Sequence, residues 1–243
     1  MIFEYNKLRE FLSSIKELGT CMLFKDWQGE KVFLLRHDID FDLQLAYNLA
    51  EIEHDIGIVS TYFVLTTCPT YNVMSANSRK LLRGIKDLGH EIALHFDPTL
   101  YGDQDLLTAV NKETEILSFA IGDDIKSISL HNPSVHGQYP LFEGYINAYD
   151  PKLFSDANYI ADSCYGFRGK NPFEFIKNIE VGMVQVLLHP MHYSEGGDGY
   201  DKVIVNSCER FINEVHENFT ANEVYRMQMR EDLLSTFVNQ LSK

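Results

Sequence analysis

Positive charge is scarce in this sequence. Its 243 residues hold 21 Lys and Arg against 35 Asp and Glu, a formal charge of −14. No basic run interrupts that surplus, so a phosphate backbone or an anionic lipid surface is repelled overall and nucleic acid is not an expected partner. Cysteine is also sparse. Cys21, Cys68, Cys164 and Cys208 lie far apart and form no CxxC pair, which argues against a redox motif or a structural zinc knuckle and for free thiols. No segment is long and apolar enough to span a bilayer. The first residues, Met-Ile-Phe-Glu-Tyr-Asn-Lys-Leu-Arg-Glu, lack the basic start, the apolar stretch and the small-residue cleavage site of a secretory signal, so the expected location is cytoplasmic. Internal repeats, low-complexity tracts and a convincing linker are missing too. The expectation is a single domain over 1–243, with an N-terminal helical extension (1–30) and a C-terminal helical region (203–243).

What is present is an alternation of two periodicities. Residues 3–18 place Phe3, Leu8, Phe11, Leu12, Ile15 and Leu18 at helical spacing. The run Val32-Phe33-Leu34-Leu35 then suits a strand buried on both faces, and it stops at Arg36-His37-Asp38-Ile39-Asp40. Helical spacing returns through Leu43 to Ile52, and a second β-rich run covers 59–65. Helices near 76–88 and 104–119 alternate with strands over 90–95 and 125–130. The stretch 132–158 has no clean period and is long for a connection, which suits a role in shaping substrate access. Further strands are expected at 159–161 and 184–188, followed by a helical end from about 203. Strands separated by helices predict an α/β fold with a mostly parallel sheet.

The chemically informative feature is positional. His37, Asp38 and Asp40, then His95, His131 and His189, each stand where an apolar strand ends. Parallel barrels gather such ends on one face, and imidazoles with carboxylates are the ligand types that suit zinc and related divalent ions. A lone histidine at a strand end is more often a structural hydrogen-bonder. Four such ends coinciding weakens that explanation. Asp38 and Asp40 are two apart, so in extended backbone they point the same way, one able to bind a metal and the other to take a proton. His37 then points elsewhere, Asp42 is better placed to cap the following helix, and His90, five positions from His95, faces away from it. Asp97 is a further candidate ligand, and Asp162 a candidate orienter of a base or histidine, although each suits a turn or cap equally well. His54, His136, His192 and His216 have weaker context, with His192 able to edge the pocket.

At these residues the sequence resembles the polysaccharide deacetylase family, carbohydrate esterase family 4, in its divergent branch with an Arg-His-Asp-Val-Asp-type first motif. The resemblance covers most of 31–193. Leu34-Leu35-Arg36-His37-Asp38-Ile39-Asp40 is similar to that motif and implies Asp38 as general base and Asp40 as metal ligand. Leu88-Gly89-His90-Glu91-Ile92-Ala93-Leu94-His95 resembles the second motif, which ends on a metal-binding His. The family's further His four positions on is here Thr99, so the usual Asp-His-His set is not intact. His131, in Ser129-Leu130-His131-Asn132-Pro133, is suggested to supply the missing imidazole. Val186-Leu187-Leu188-His189-Pro190 is similar to the last motif, whose His protonates the leaving amine. The implied architecture is an incomplete, distorted (β/α) barrel of about seven parallel strands.

The expected activity is metal-dependent hydrolysis of a linear amide C–N bond, deacetylating an N-acetylated sugar or glycan precursor. A divalent ion, zinc foremost, is expected on Asp40, His95 and His131, with Asp38, His189 and Asp162 as catalytic residues. Two alternatives stand beside it. One is a catalytically silent carbohydrate-binding or scaffold domain that lost turnover with Thr99; the other is an O-acetyl esterase or another amidase. The expected partner is a small-molecule or glycan substrate, and the sequence leaves the oligomeric state open.

Overall fold

A computed structural model describes residues 3–229 and 231–241. The chain divides into two compact units, one ending at Gly197 and one beginning at Asp198. The first carries a seven-stranded parallel sheet, β1 (Phe33–Ile39), β2 (Thr61–Leu65), β3 (Glu91–Phe96), β4 (Ser127–Leu130), β5 (Ile146–Asn147), β6 (Tyr159–Ala161) and β7 (Val184–Leu188), in the order β5-β4-β3-β2-β1-β7-β6. Consecutive strands are joined through helices α2 (Leu43–Ile56), α3 (Ala76–Asp87) and α4 (Leu106–Ile121), and all pairings are parallel. The sheet curls into a barrel left open between β5 and β6, the distorted (β/α) barrel that the resemblance implies, with the parallel pairing expected from the alternation.

Local signals set the helix ends. Asp42 caps α2 by accepting from the Gln44 N–H at 2.9 Å, and Gly57 ends it in the left-handed region at φ 78°. Ser75 caps α3, and Asp105 and Gly122 bracket α4. Helix α1 (Tyr5–Leu18) buries Leu8, Phe11, Leu12 and Ile15, each contributing on the order of 1.5–3 kcal/mol relative to exposure. These side chains join Phe33 and Leu35 of β1, so the N-terminal helix is part of the first unit's core.

Alternation along β1 decides what faces inward. Phe33, Leu35 and His37 point toward α1 and α2, while Leu34, Arg36 and Asp38 point into the barrel. Part of the interior is apolar, with Leu34, Phe63 and Ala93 packed against Ala148 and Leu153. Interleaved with these are polar residues, Arg36, Thr61, Glu91, Ser127 and Gln185, all buried. Glu91 accepts from Thr61 Oγ1 at 2.8 Å, Ser127 Oγ at 2.6 Å and the Lys25 N–H at 3.1 Å. Gln185 donates to the carbonyls of Ala148 and Leu153, which pins the 148–153 segment inside the barrel.

The 132–158 stretch is more ordered than its pattern suggests. It holds a one-turn helix α5 (Pro133–His136) and the two-residue β5, elements too short to show a period. A short helix α6 (Pro172–Phe175) precedes β7. The second unit consists of α7 (Tyr200–Phe219), α8 (Glu223–Gln228) and α9 (Leu233–Leu241). Among the described residues, no helix is long and apolar enough to cross a membrane.

Candidate metal centre and active site

Parallel pairing puts the strand ends in register. Ile39 pairs with Val64 and Leu65 with His95, so Asp40, one residue past Ile39, stands level with His95. His95 pairs with Ser129 in β4, and the His131 N–H continues that ladder to the Phe96 carbonyl at 2.8 Å. β7, on the other side of β1, ends at Leu188 opposite His37 and delivers His189.

Asp40, His95 and His131 meet in one cluster. His95 Nε2 lies 3.2 Å and His131 Nδ1 3.5 Å from Asp40 Oδ1, and the two ring nitrogens are 3.3 Å apart. Asp40 Oδ1 is fully buried but accepts no hydrogen bond. Three lone-pair atoms facing one another around a buried, unsatisfied carboxylate oxygen are what a divalent cation satisfies, so these residues fit such an ion. The outer atoms are held as metal ligands usually are: His95 Nδ1 is 2.6 Å from Ser129 Oγ, which in turn lies 3.4 Å from Asp38 Oδ1, and Asn132 is 2.9 Å from His131 Nε2. Burial opposes charge on Asp40, yet the imidazoles of His131 and His95 outweigh it and hold the carboxyl well below the usual range.

Asp38 sits beside this cluster, its Oδ2 3.6 Å from His95 Nε2. Arg36 grips it with two parallel bonds of 2.8 Å, Nε to Oδ1 and Nη2 to Oδ2. Arg36 is itself fully buried, bonded to Gln185 and Tyr149 and stacked over the rings of Phe63 and Tyr149. Burial pushes the Asp38 carboxyl up, Arg36 with the nearby His95 and His189 pulls it down, and the net direction is down.

Across the cavity His189 faces Asp40, Nε2 to Oδ2 at 3.8 Å, with its Nδ1 2.6 Å from Asp162 Oδ1. Asp162 is fully buried and also accepts from the His189 backbone N–H and, at 3.0 Å, from Tyr193 OH, while His192 Nδ1 stands 3.2 Å away. Burial disfavours the imidazolium, but Asp162 overrides it and lifts His189 to about 9; the same pairing overrides burial at Asp162 and holds it low. With Nδ1 held by Asp162, His189 presents Nε2 to the cavity.

The residues singled out by sequence sort clearly. Asp38, Asp40, His95, His131 and His189 all line one cavity of about 270 Å³, with Asp162 behind His189. His37 lies on the opposite face of β1, 2.7 Å from Glu53 of α2, and His90 joins the same buried network through Ser60. Asp97 caps the turn after β3, accepting from the N–H and hydroxyl of exposed Thr99, and is not part of the Asp40–His95–His131 cluster. His136 is exposed on α5, His54 of α2 lies 3.0 Å from the Leu88 carbonyl at the end of α3, and His216 of α7 lies 2.8 Å from Tyr225 OH of α8. Sequence reasoning missed Arg36 as the partner of Asp38 and Ser129 as the support of His95. The two-residue alternation that aligned Asp38 with Asp40 also aligns Arg36 with Asp38, and a buried strand seldom carries an unpaired cation.

No family model matches the chain, and no curated protein matches it. Solved structures do. The likeness is to family 4 carbohydrate esterases. A CE4 family pseudoenzyme from Bacillus anthracis shares 14% identity over 74% of this chain and 62% of its own, with a TM-score of 0.45. The peptidoglycan deacetylase PdaC from Bacillus subtilis shares 16% over 82% and 98%, with a TM-score of 0.43. A family 4 acetyl xylan esterase from Clostridium thermocellum, solved with cobalt, shares 13% over 73% and 83%, with a TM-score of 0.42. The chain spans 62–64% of the length of the pseudoenzyme structures it matches. Deacetylases and pseudoenzymes both occur among these structures.

Proposed function

We propose that the protein is a metal-dependent hydrolase that deacetylates an N-acetylated sugar or glycan precursor. The observation that carries this reading is the three-part arrangement around one cavity: the Asp40, His95 and His131 cluster, the Arg36-held Asp38 beside it, and the His189–Asp162 pair facing it. Asp40, His95 and His131 would hold the ion, with zinc the leading candidate for a set of two imidazoles and one carboxylate. Such an ion supplies Lewis acidity and makes hydroxide accessible at neutral pH.

The chain's own groups divide the proton traffic. Asp38, ionised and fixed by Arg36, takes the proton of the attacking water. Hydroxide adds to the acyl carbon, and the C–N bond breaks as His189 Nε2 delivers its proton to the departing nitrogen, leaving acetate and an amine. Asp162 keeps the His189 ring oriented and charged for that delivery. Thr99 does not leave the cluster short of an imidazole, because His131 stands against Asp40, and nothing in the cavity favours a silent scaffold.

Metal analysis together with acetate release tests this. Purified protein is expected to bind about one divalent ion per chain, lost in Asp40→Ala, His95→Ala and His131→Ala and retained in His136→Ala. Acetate release from N-acetylated amino sugars should vanish in His189→Gln while metal content stays. No metal uptake after reconstitution would overturn the reading, and release from O-acetyl esters alone would change the bond cleaved.

A further inference from the structure

The same cavity carries a feature that deacetylation does not use. One wall is aromatic: Tyr139, Tyr149, Phe154 and Tyr159 contact each other in series, with ring centroids 4.7–6.1 Å apart. Aromatic walls receive the C–H faces of sugar rings. The loop after β6 adds two cations to the cavity lining, Arg168 and Lys170. Both are exposed, in a chain with 14 more negative than positive side chains and with Asp38 and Asp40 on the cavity floor.

Arg168 is not committed elsewhere. Lys7, Lys126 and Lys177 each meet a carboxylate within 3.0 Å, whereas Arg168 makes no ion pair or hydrogen bond among the described residues. Lys170 reaches only the Asp156 backbone carbonyl at 3.4 Å and the Phe175 ring. The loop also holds an unfavourable backbone. Cys164, Tyr165 and Arg168 have φ of 60°, 57° and 50°, and Gly169 follows at 79°. The other non-glycine residue with positive φ among those described is Asn132, which lines the same cavity. Left-handed backbone at bulky residues persists where the surroundings impose it, and it gathers at ligand clamps.

We infer that Arg168 and Lys170 form an anion subsite beside the acyl-binding cavity, and that the substrate is an N-acylated amino sugar bearing a phosphate. This rests on the cavity being the sugar site proposed above. A neutral sugar gives an unpaired guanidinium and ammonium nothing to neutralise. A phosphate ester suits the Arg fork, and the paired cations raise the local concentration of anions against the field of the whole molecule.

Calorimetric titration of the full chain with N-acetylglucosamine, its 1-phosphate and its uridine-diphosphate ester tests this, in EDTA-treated and zinc-loaded protein at low and high salt. The expected result is at least tenfold tighter binding of a phosphorylated form than of the neutral sugar, in both metal states, shrinking with salt. In Arg168→Asn/Lys170→Gln, where Asn tolerates the left-handed backbone, that advantage should disappear while neutral-sugar affinity and the far-UV circular dichroism stay unchanged. Preference for the 1-phosphate identifies a free sugar phosphate, and preference for the diphosphate ester a nucleotide-linked one. Equal affinities, no binding of any ligand, or an advantage that survives in the double variant would overturn the subsite. Tight, charge-dependent binding with no acetate released keeps the subsite and removes the hydrolase reading, whereas hydrolysis of neutral and phosphorylated sugars alike does the reverse.

Discussion

At the scale of single residues, the site depends on charges buried in pairs. Arg36 and Asp38 are both nearly inaccessible, so removing one strands the other in a low-dielectric interior. Arg36→Leu is expected to lower stability by roughly 3–5 kcal/mol, read from urea denaturation at neutral pH. A loss well under 1 kcal/mol would mean that water reaches Asp38. His189 gives a pH signature. Its pKa rises from 6.5 unfolded to about 9 folded, overcoming burial through Asp162. The stabilisation is therefore fully present below the unfolded value and is lost as pH rises through about 9. In metal-free protein, the unfolding midpoint should fall between these pH values in the wild type and stay flatter in His189→Gln. An unchanged slope in the variant would show that the His189–Asp162 pair does not carry it.

At the scale of elements, the barrel is assembled from helices whose ends are written in single residues. Gly122 closes α4 at φ 72° on the exposed surface, and a Cβ there would meet no other atom. Gly122→Ala should therefore cost only the left-handed backbone, about 1 kcal/mol, with Gly122→Asn costing less. Equal denaturation midpoints for Gly122 and Ala would show that the end of α4 is frayed in solution. β1 works differently, because its two faces carry separate tasks: His37 and Glu53 tie it to α2 outside, while Arg36 and Asp38 serve the cavity inside. A one-residue slip of β1 would exchange those faces, so its parallel register on β2 and β7 is a condition of the site.

At the scale of the whole molecule, the four thiols report on how the chain closes. Cys164 and Cys208 are exposed, Cys68 is buried, and burial pushes the half-buried Cys21 thiol up to about 12. Titration with a chromogenic disulfide at pH 8 should count two fast thiols in the native protein and four after denaturation. Three or four fast thiols would mean that the N-terminal segment around Cys21, or the Cys68 turn, opens readily. Charge acts at this scale too, since a surplus of 14 negative side chains makes the two cations on the cavity wall a local exception.

The sequence by itself determined the alternation of β1 to β4 with α2 to α4, the places of β6 and β7, the mostly parallel sheet, and the strand ends at which Asp38, Asp40, His95, His131 and His189 stand, but not α5, β5 or α6. These follow from periodicity and from polar residues that interrupt apolar runs, both local properties of the chain. Alternation also turned His37 away from Asp38 and Asp40, whereas Asp97 stayed open between ligand and turn until the structure showed it capping the turn after β3. Only the tertiary structure decided that His131 faces Asp40, that Arg36 turns inward to hold Asp38, and that Asp162, 27 residues before His189, lies 2.6 Å from its ring. It also decided that the 148–159 segment folds inward to give Tyr149, Phe154 and Tyr159 a common wall. Those are contacts between segments remote in sequence, fixed by the curl of the sheet and by loops with no period to read. A chain's local pattern says which residues end a strand; the closure of the barrel says which of them meet.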